Sequence, residues 1–178
     1  MRLSMLAALV ASCPFSAPLQ AAVSFTVPHY EVPADNAWDY YLAAFALLPP
    51  KGDLWDRVEL AQGEPAEGDV EALLRAAGPA LTKLRGGLGK PCVPIYQEVG
   101  SSARGVLEVG APARAMARLL VWEAWLGAQR GEYDGAFISC LDAMTLGQDI
   151  ARNGGTYAKR VSIACEAIAL SQARRTVA

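Results

Sequence analysis

The chain has 178 residues, 53% hydrophobic and 19% charged, with a net charge of −2. That is length and apolar content for one ordinary domain with a buried core, and it excludes a disordered chain. Ten acidic and two basic residues from Glu31 to Glu71 give −8, and eight basic and three acidic from Arg75 to Arg130 give +5; the two stretches read as neighbours that pack together, and the basic one is too dilute for a nucleic-acid surface.

Residues 1–22 read as a secretory signal: Arg2, an apolar run Leu3–Ala11, small residues after it, and no acidic residue before Glu31. The run is about half the ~20 residues a spanning helix needs. Two cleavage readings stand side by side. "LQAA" offers a cut after Ala21 or Ala22, and "VASC" (Val10–Cys13) resembles a bacterial lipobox with Cys13 lipidated. Both place the mature chain outside the cytoplasm, periplasmic or secreted. The only membrane contact expected is an N-terminal lipid anchor, in which two acyl chains at about 0.8 kcal/mol per CH₂ hold firmly.

An extended leader, residues 23–34, carries Pro28 and Pro33 and is followed by one helical domain, residues 35–178. Ala dominates the apolar fraction and β-branched runs are short, which points to an all-α fold, a bundle of about five helices. The first helix is capped by Asp35 or Asn36 and stops at Pro49-Pro50, with Trp38, Leu42, Phe45 and Leu48 as its core face. Asp53–Ala61 makes a short helix. Gly68–Leu84 makes a longer one, with Val70, Leu73, Leu74, Ala77, Leu81 and Leu84 inward and a kink before Pro79. Residues 85–112 hold six Gly and three Pro and read as one long irregular loop, with extended pieces at Val93–Tyr96 and Val106–Val109.

From Ala111 the pattern sharpens into a hairpin. "ARAMARLLVWEAWLGAQR" is a helix apolar nearly all round, "GEYD" the turn, and "DGAFISCLDAMTLGQDIAR" a second helix with Tyr133, Phe137, Cys140, Met144, Gly147 and Ile150 on one stripe. Asn153–Gly155 is expected to end it in a left-handed cap. A third helix, Thr156–Arg174, buries Tyr157, Val161, Ala164 and Ile168, and turns Lys159, Ser162 and Glu166 outward.

Gly131 and Tyr133 at the turn, then Ala136 and Ala143, resemble a tetratricopeptide hairpin over about 34 residues, although Leu120, Glu123, Ala124 and Gly127 depart from its first half. No second copy follows at that period, so a TPR-like C-terminal hairpin is implied and a solenoid is not. The wider layout, "NAWDYYLAAFALL", a Pro-Cys loop and "GEYDGAF…CLDAMTLG…NGG", is similar to uncharacterised envelope proteins of planctomycete-type bacteria, a resemblance that implies no known activity.

Catalytic sets are missing from the pattern. His29 is the single histidine and lies in the leader, so neither a Ser/His/Asp triad nor a Glu-x-x-His di-metal site can be written. No metal and no cofactor is expected. A phosphate loop at Gly89-Lys90 fails, because Leu84 and Pro91 stand where Gly and Ser or Thr are needed. Cys92, Cys140 and Cys165 read as small core residues, with a Cys140–Cys165 disulfide open if their helices are neighbours. Glu123 is out of place in "LLVWEAWLG" and calls for an ion pair with an Arg from another helix, or else a carboxylate with a raised pKa. Asp134, Asp142 and Asp149 read as solvated helix charges.

These readings converge on an extracytoplasmic helical protein that binds or scaffolds an envelope protein partner, with Trp122, Trp125 and Tyr133 as the binding residues. The alternative is a carboxylate-dependent envelope hydrolase. A third class is a small-molecule carrier with a cavity beneath Gly86–Gly110.

Overall fold

A computed structural model describes residues 31–61, 64–95, 102–152 and 154–177, with side chains in the fourth helix described from Glu108 onward. The signal segment, Cys13, His29, Tyr96 and Asn153 lie outside the described residues. Six helices follow in order: α1 Ala37–Ala46, α2 Asp53–Glu59, α3 Glu67–Arg85, α4 Ser102–Gln129, α5 Tyr133–Ala151 and α6 Thr156–Thr176. No strand occurs among the described residues. The fold is an all-helical bundle: α4, α5 and α6 pack against one another, α3 lies on α4, and α1 and α2 lie on α3.

Asn36 is the cap that starts α1. Its Oδ1 accepts from the Trp38 amide at 3.3 Å and also from the Val93 amide at 2.9 Å, while its Nδ2 donates to the Val93 carbonyl at 2.9 Å. The Ala37 amide donates to the Pro91 carbonyl at 3.0 Å. One side chain thus begins a helix and fastens the Pro91–Val93 loop to it. Gly87 is part of the same junction: a Cβ there would stand 2.7 Å from the Tyr40 Cβ.

The inward face of α1 is Ala37, Trp38, Tyr41 and Ala44; Leu42, expected in the core, is 43% exposed. Four residues of spacing put Trp38 and Leu42 on one ridge, but α1 ends at Ala46 and touches mainly α3, so only a narrow stripe is covered. α3 runs through Pro79 as one helix, and Val70, Leu73, Ala77, Ala80, Leu81 and Leu84 are buried in it.

The long irregular loop is shorter than expected. α4 begins at Ser102 and contains Pro112, so Val106–Val109 is helical, not extended. Ala-rich composition and packing against both α5 and α6 override the Gly and Pro signals. Gly110 is needed for that packing, since its Cβ position lies 3.1 Å from Tyr157 and 3.2 Å from Val161.

The turn of the hairpin is set by Gly131 at φ +75°, with the Glu132 amide donating to the Gly127 carbonyl at 2.8 Å. The other expected left-handed cap is absent at Gly154 and Gly155; Gly155 has φ −72°, and α5 ends with Arg152 extended. α5 buries Ala136, Ser139, Cys140, Ala143, Leu146, Gly147, Asp149, Ile150 and Ala151. Tyr133 and Phe137, placed on the inward stripe by their spacing, are exposed. α6 buries Ala158, Val161, Ser162, Cys165, Ala169 and Gln172, so Ser162 points in rather than out; its hydroxyl donates to Glu166 at 3.1 Å.

The acidic and basic stretches do pack together. Lys90 pairs with Asp35, Arg118 with Glu59 at 3.2 Å, and Arg130 with Glu67 at 2.8 Å and with Glu71.

Candidate functional site

Two features stand out above the packing: an arginine-centred hollow between α3, α4 and α5, and an apolar outer face on α5 and α6.

The hollow has a volume of about 420 Å³ and is lined by Leu74, Arg85, Glu123, Leu126, Arg130, Glu132 and neighbours on α5. At its inner end Arg85, the last residue of α3, reaches both hairpin helices. Its Nη1 donates to Glu123 Oε1 at 3.1 Å, its Nη2 to Glu123 Oε2 and to Ser139 Oγ at 3.3 Å, and its Nε to Asp142 Oδ2 at 3.0 Å. Ser139 donates to Glu123 Oε2 at 2.8 Å. The fork of the guanidinium fits the Glu123 carboxylate with two bonds. This is the interhelical ion pair that Glu123 called for. Hydrogen bonding to Glu123, then to Asp142, raises the Arg85 pKa further. Burial pushes the Asp142 carboxyl above its ordinary value, opposed by Arg85.

Asp142 and Asp149 are therefore not free helix charges: Asp142 is half-buried and Asp149 buried. Asp149 is 3% exposed. Its Oδ2 accepts from the Tyr41 hydroxyl at 2.6 Å and its Oδ1 pairs with Arg152 Nε at 3.0 Å. Burial and then the Asp149 carboxylate raise the Tyr41 pKa well above its ordinary value. Of the three aspartates only Asp134 is exposed. Sequence spacing could not separate them, because the direction each faces depends on where α1 and α3 dock.

The three described cysteines are free and buried, and no disulfide joins Cys140 to Cys165. Burial pushes the Cys92 thiol up to about 12 and the Cys165 thiol up to about 11, and raises Cys140 as well. Thiols held protonated in this way are poor nucleophiles. Among the described residues no group of three or more His, Cys, Asp or Glu could hold a metal ion.

Trp122 and Trp125 meet edge to face, centroids 6.1 Å apart at 80°. Trp125 is 7% exposed and belongs to the core, and Trp122 packs half-buried against it. Tyr133 is 54% exposed. None of the three lines the hollow.

Tyr133 instead begins the outer face. Phe137, Ile138 and Leu141 on α5 and Ile163 and Leu170 on α6 are all exposed, Leu141 at 59% and Ile163 at 64%. On α6, Ile163 and Leu170 recur at seven residues, one side of a helix. The two helices are antiparallel neighbours: Gly147 lies against Ser162 and Cys165, and Ala173 against Ala136 and Cys140. Leu141 and Leu170 are each exposed, on the neighbouring helices α5 and α6. Single exposed apolar residues are ordinary, but six on two neighbouring helices make a candidate interaction surface. Its signal was present in the sequence as apolar residues on both sides of α5.

Comparison with known proteins returned no matching family model, no similar curated protein and no similar solved structure. No helix among the described residues is long and apolar enough to cross a membrane.

Proposed function

We propose that this is an extracytoplasmic helical protein that binds or scaffolds a protein partner in the cell envelope. The observation that carries the reading is the exposed apolar face of Tyr133, Phe137, Ile138, Leu141, Ile163 and Leu170. The leader sequence supports the location, with Cys13 as the lipid attachment point if the lipobox is used. The tetratricopeptide resemblance of the α4–α5 hairpin supports a binding role by analogy. Within this reading Tyr133 contributes to the contact surface, and Trp122 and Trp125 hold α4 beneath it. A carboxylate-dependent hydrolase has weaker support: Glu123 and Asp142 lie close enough to share one guanidinium, but Arg85 engages both.

The test is a photo-crosslinking amino acid at Leu141 of the full-length chain, expressed in a bacterium, with Asp56 as a control position. Leu141 is expected to capture a discrete envelope protein that Asp56 does not. Equal labelling at both positions, or none at Leu141, would refute the reading.

A further inference from the structure

The outer face of α5 and α6 carries a charge pattern as well as apolar surface. On α5, Asp134 stands four residues before Ile138 and seven before Leu141, so the three share a side of the helix. Seven residues after Leu141 that row ends on Gln148, a neutral amide. On α6, Lys159 stands four residues before Ile163, and Arg174 four after Leu170. All of these side chains are exposed. Each row is thus apolar in its middle; the α5 row begins on an acid, and the α6 row has a base at either end. Because the helices are antiparallel, Asp134 and Arg174 lie at one end of the face, and Gln148 and Lys159 at the other. Among the described residues, Asp134, Lys159 and Arg174 make no ion pair.

We propose that a second copy of this chain covers the face, in a dimer whose two-fold axis runs parallel to the two helices. That axis lays α5 of each copy over α6 of the other. Phe137 and Leu141 then pack against the partner's Leu170 and the partner's Ile163. Asp134 meets the partner's Arg174, twice by symmetry, and Lys159 meets the neutral amide of the partner's Gln148. The other way to stack the face on itself, with the axis across the helices, sets Arg174 against the partner's Lys159 and leaves Asp134 without a cation. Like charges in contact disfavour it. The extent of the face fits a dimer too. Six side chains exposed by 36–64% leave on the order of 600 Å² of apolar surface, against about 800 Å² that each partner gives to a standard interface. The charged ends supply the remainder. The inference rests on the reading that this face binds protein, and it names the partner.

The test is sedimentation equilibrium of the full chain as purified from its host, in density-matched detergent, from about 1 to about 100 μM. A reversible monomer–dimer equilibrium is expected and nothing larger, since an isologous contact closes at two copies. Asp134→Arg and Arg174→Asp are each expected to weaken it at least about tenfold, because each sets like charges together twice. An equimolar mixture of the two variants is expected to associate within about threefold of the parent, because the mixed pair has opposite charges at both contacts. A contact within one chain cannot give that rescue. Ile163→Asp is expected to abolish the dimer, and Leu60→Asp, 73% exposed at the end of α2, to leave it within about twofold. A monomer throughout the range, or a mixture that associates no better than either variant alone, would overturn the inference. A monomeric chain whose Leu141 cross-links a different envelope protein keeps the protein-binding reading and loses the second copy alone. No cross-link from Leu141 removes that reading and the inference with it.

Discussion

The Tyr41 hydroxyl donates to Asp149 Oδ2 at 2.6 Å across 108 positions of sequence, joining α1 to the end of α5. Both residues are buried, and Asp149 keeps a second partner in Arg152. Tyr41→Phe removes the donor and leaves the carboxylate in place. The expected cost is about 2 kcal/mol, in the range for a hydrogen bond to a charged group. Urea unfolding should show a lower midpoint with an unchanged slope. In an Asp149→Asn background the same substitution should cost measurably less.

Alkaline pH acts on the same region. Tyr41, Cys92 and Cys165 all have raised pKa values, the thiols to about 12 and about 11. An acid whose pKa is higher in the fold than in the open chain holds its proton longer when folded. Its contribution is complete below the unfolded value and is lost as pH rises toward the folded one. Stability should therefore fall from about pH 8.5, where unfolded thiols begin to ionise, and more steeply above about pH 10, where unfolded tyrosine does. Thermal melts between pH 7 and pH 11 check this, and Cys165→Ala should flatten the early part of the decline.

Arg85 and Asp142 should respond unequally. Arg85→Ala leaves Glu123 and the half-buried Asp142 near each other without their shared cation, at an expected cost of about 2 kcal/mol, less than for a fully buried pair because the guanidinium is partly solvated. Asp142→Asn removes a carboxylate whose charge burial already disfavours, and should change stability by no more than about 1 kcal/mol at neutral pH. If Asp142→Asn proves as costly as Arg85→Ala, the account of this junction is wrong.

Two glycines of α5 offer a matched comparison. A Cβ at Gly147 would stand 3.0 Å from the Cys165 Cβ and 3.2 Å from the Ser162 carbonyl oxygen, whereas at Gly135 it meets nothing within 4 Å. Gly147→Ala should destabilise by about 1–2 kcal/mol through overpacking of the α5–α6 seam. Gly135→Ala should stabilise by up to about 1 kcal/mol through helix propensity. Chemical denaturation of both variants beside the parent decides the matter.

Asn36→Ala should cost about 2–3 kcal/mol, since it removes both the cap of α1 and the two bonds to Val93. Hydrogen exchange at the Val93 amide should speed up more than exchange within α5, because only the loop loses its anchor.

Much of the fold was legible locally. The cap of α1 was legible as Asp35 or Asn36, the turn at Gly131 and the Ala-rich runs as helices, because these follow from the conformational preferences of a few adjacent residues. The ion pair at Glu123 was legible as a need: a carboxylate in an apolar run requires a cation, although its identity as Arg85 did not follow. Gly and Pro in the 85–112 stretch concealed the start of α4, and several side chains were given the wrong direction. Leu42, Phe137, Ser162 and Asp149 were each assigned a direction from periodicity, and each faces the other way. Periodicity says which residues share a side of a helix; it does not say which side a neighbour covers.

The sequence by itself determined an all-helical fold, helix starts at Asp35 or Asn36 and after Gly131, and the balance of acidic and basic stretches, because propensity, capping and charge act within a few residues or through composition. Tertiary structure alone decided that Arg85 would hold Glu123 and Asp142, that Tyr41 would reach Asp149, and that Tyr133, Phe137, Ile138 and Leu141 would face outward. Those outcomes depend on how α3 and α1 dock against the hairpin, and the energy that fixes docking is distributed over contacts between residues far apart in the chain.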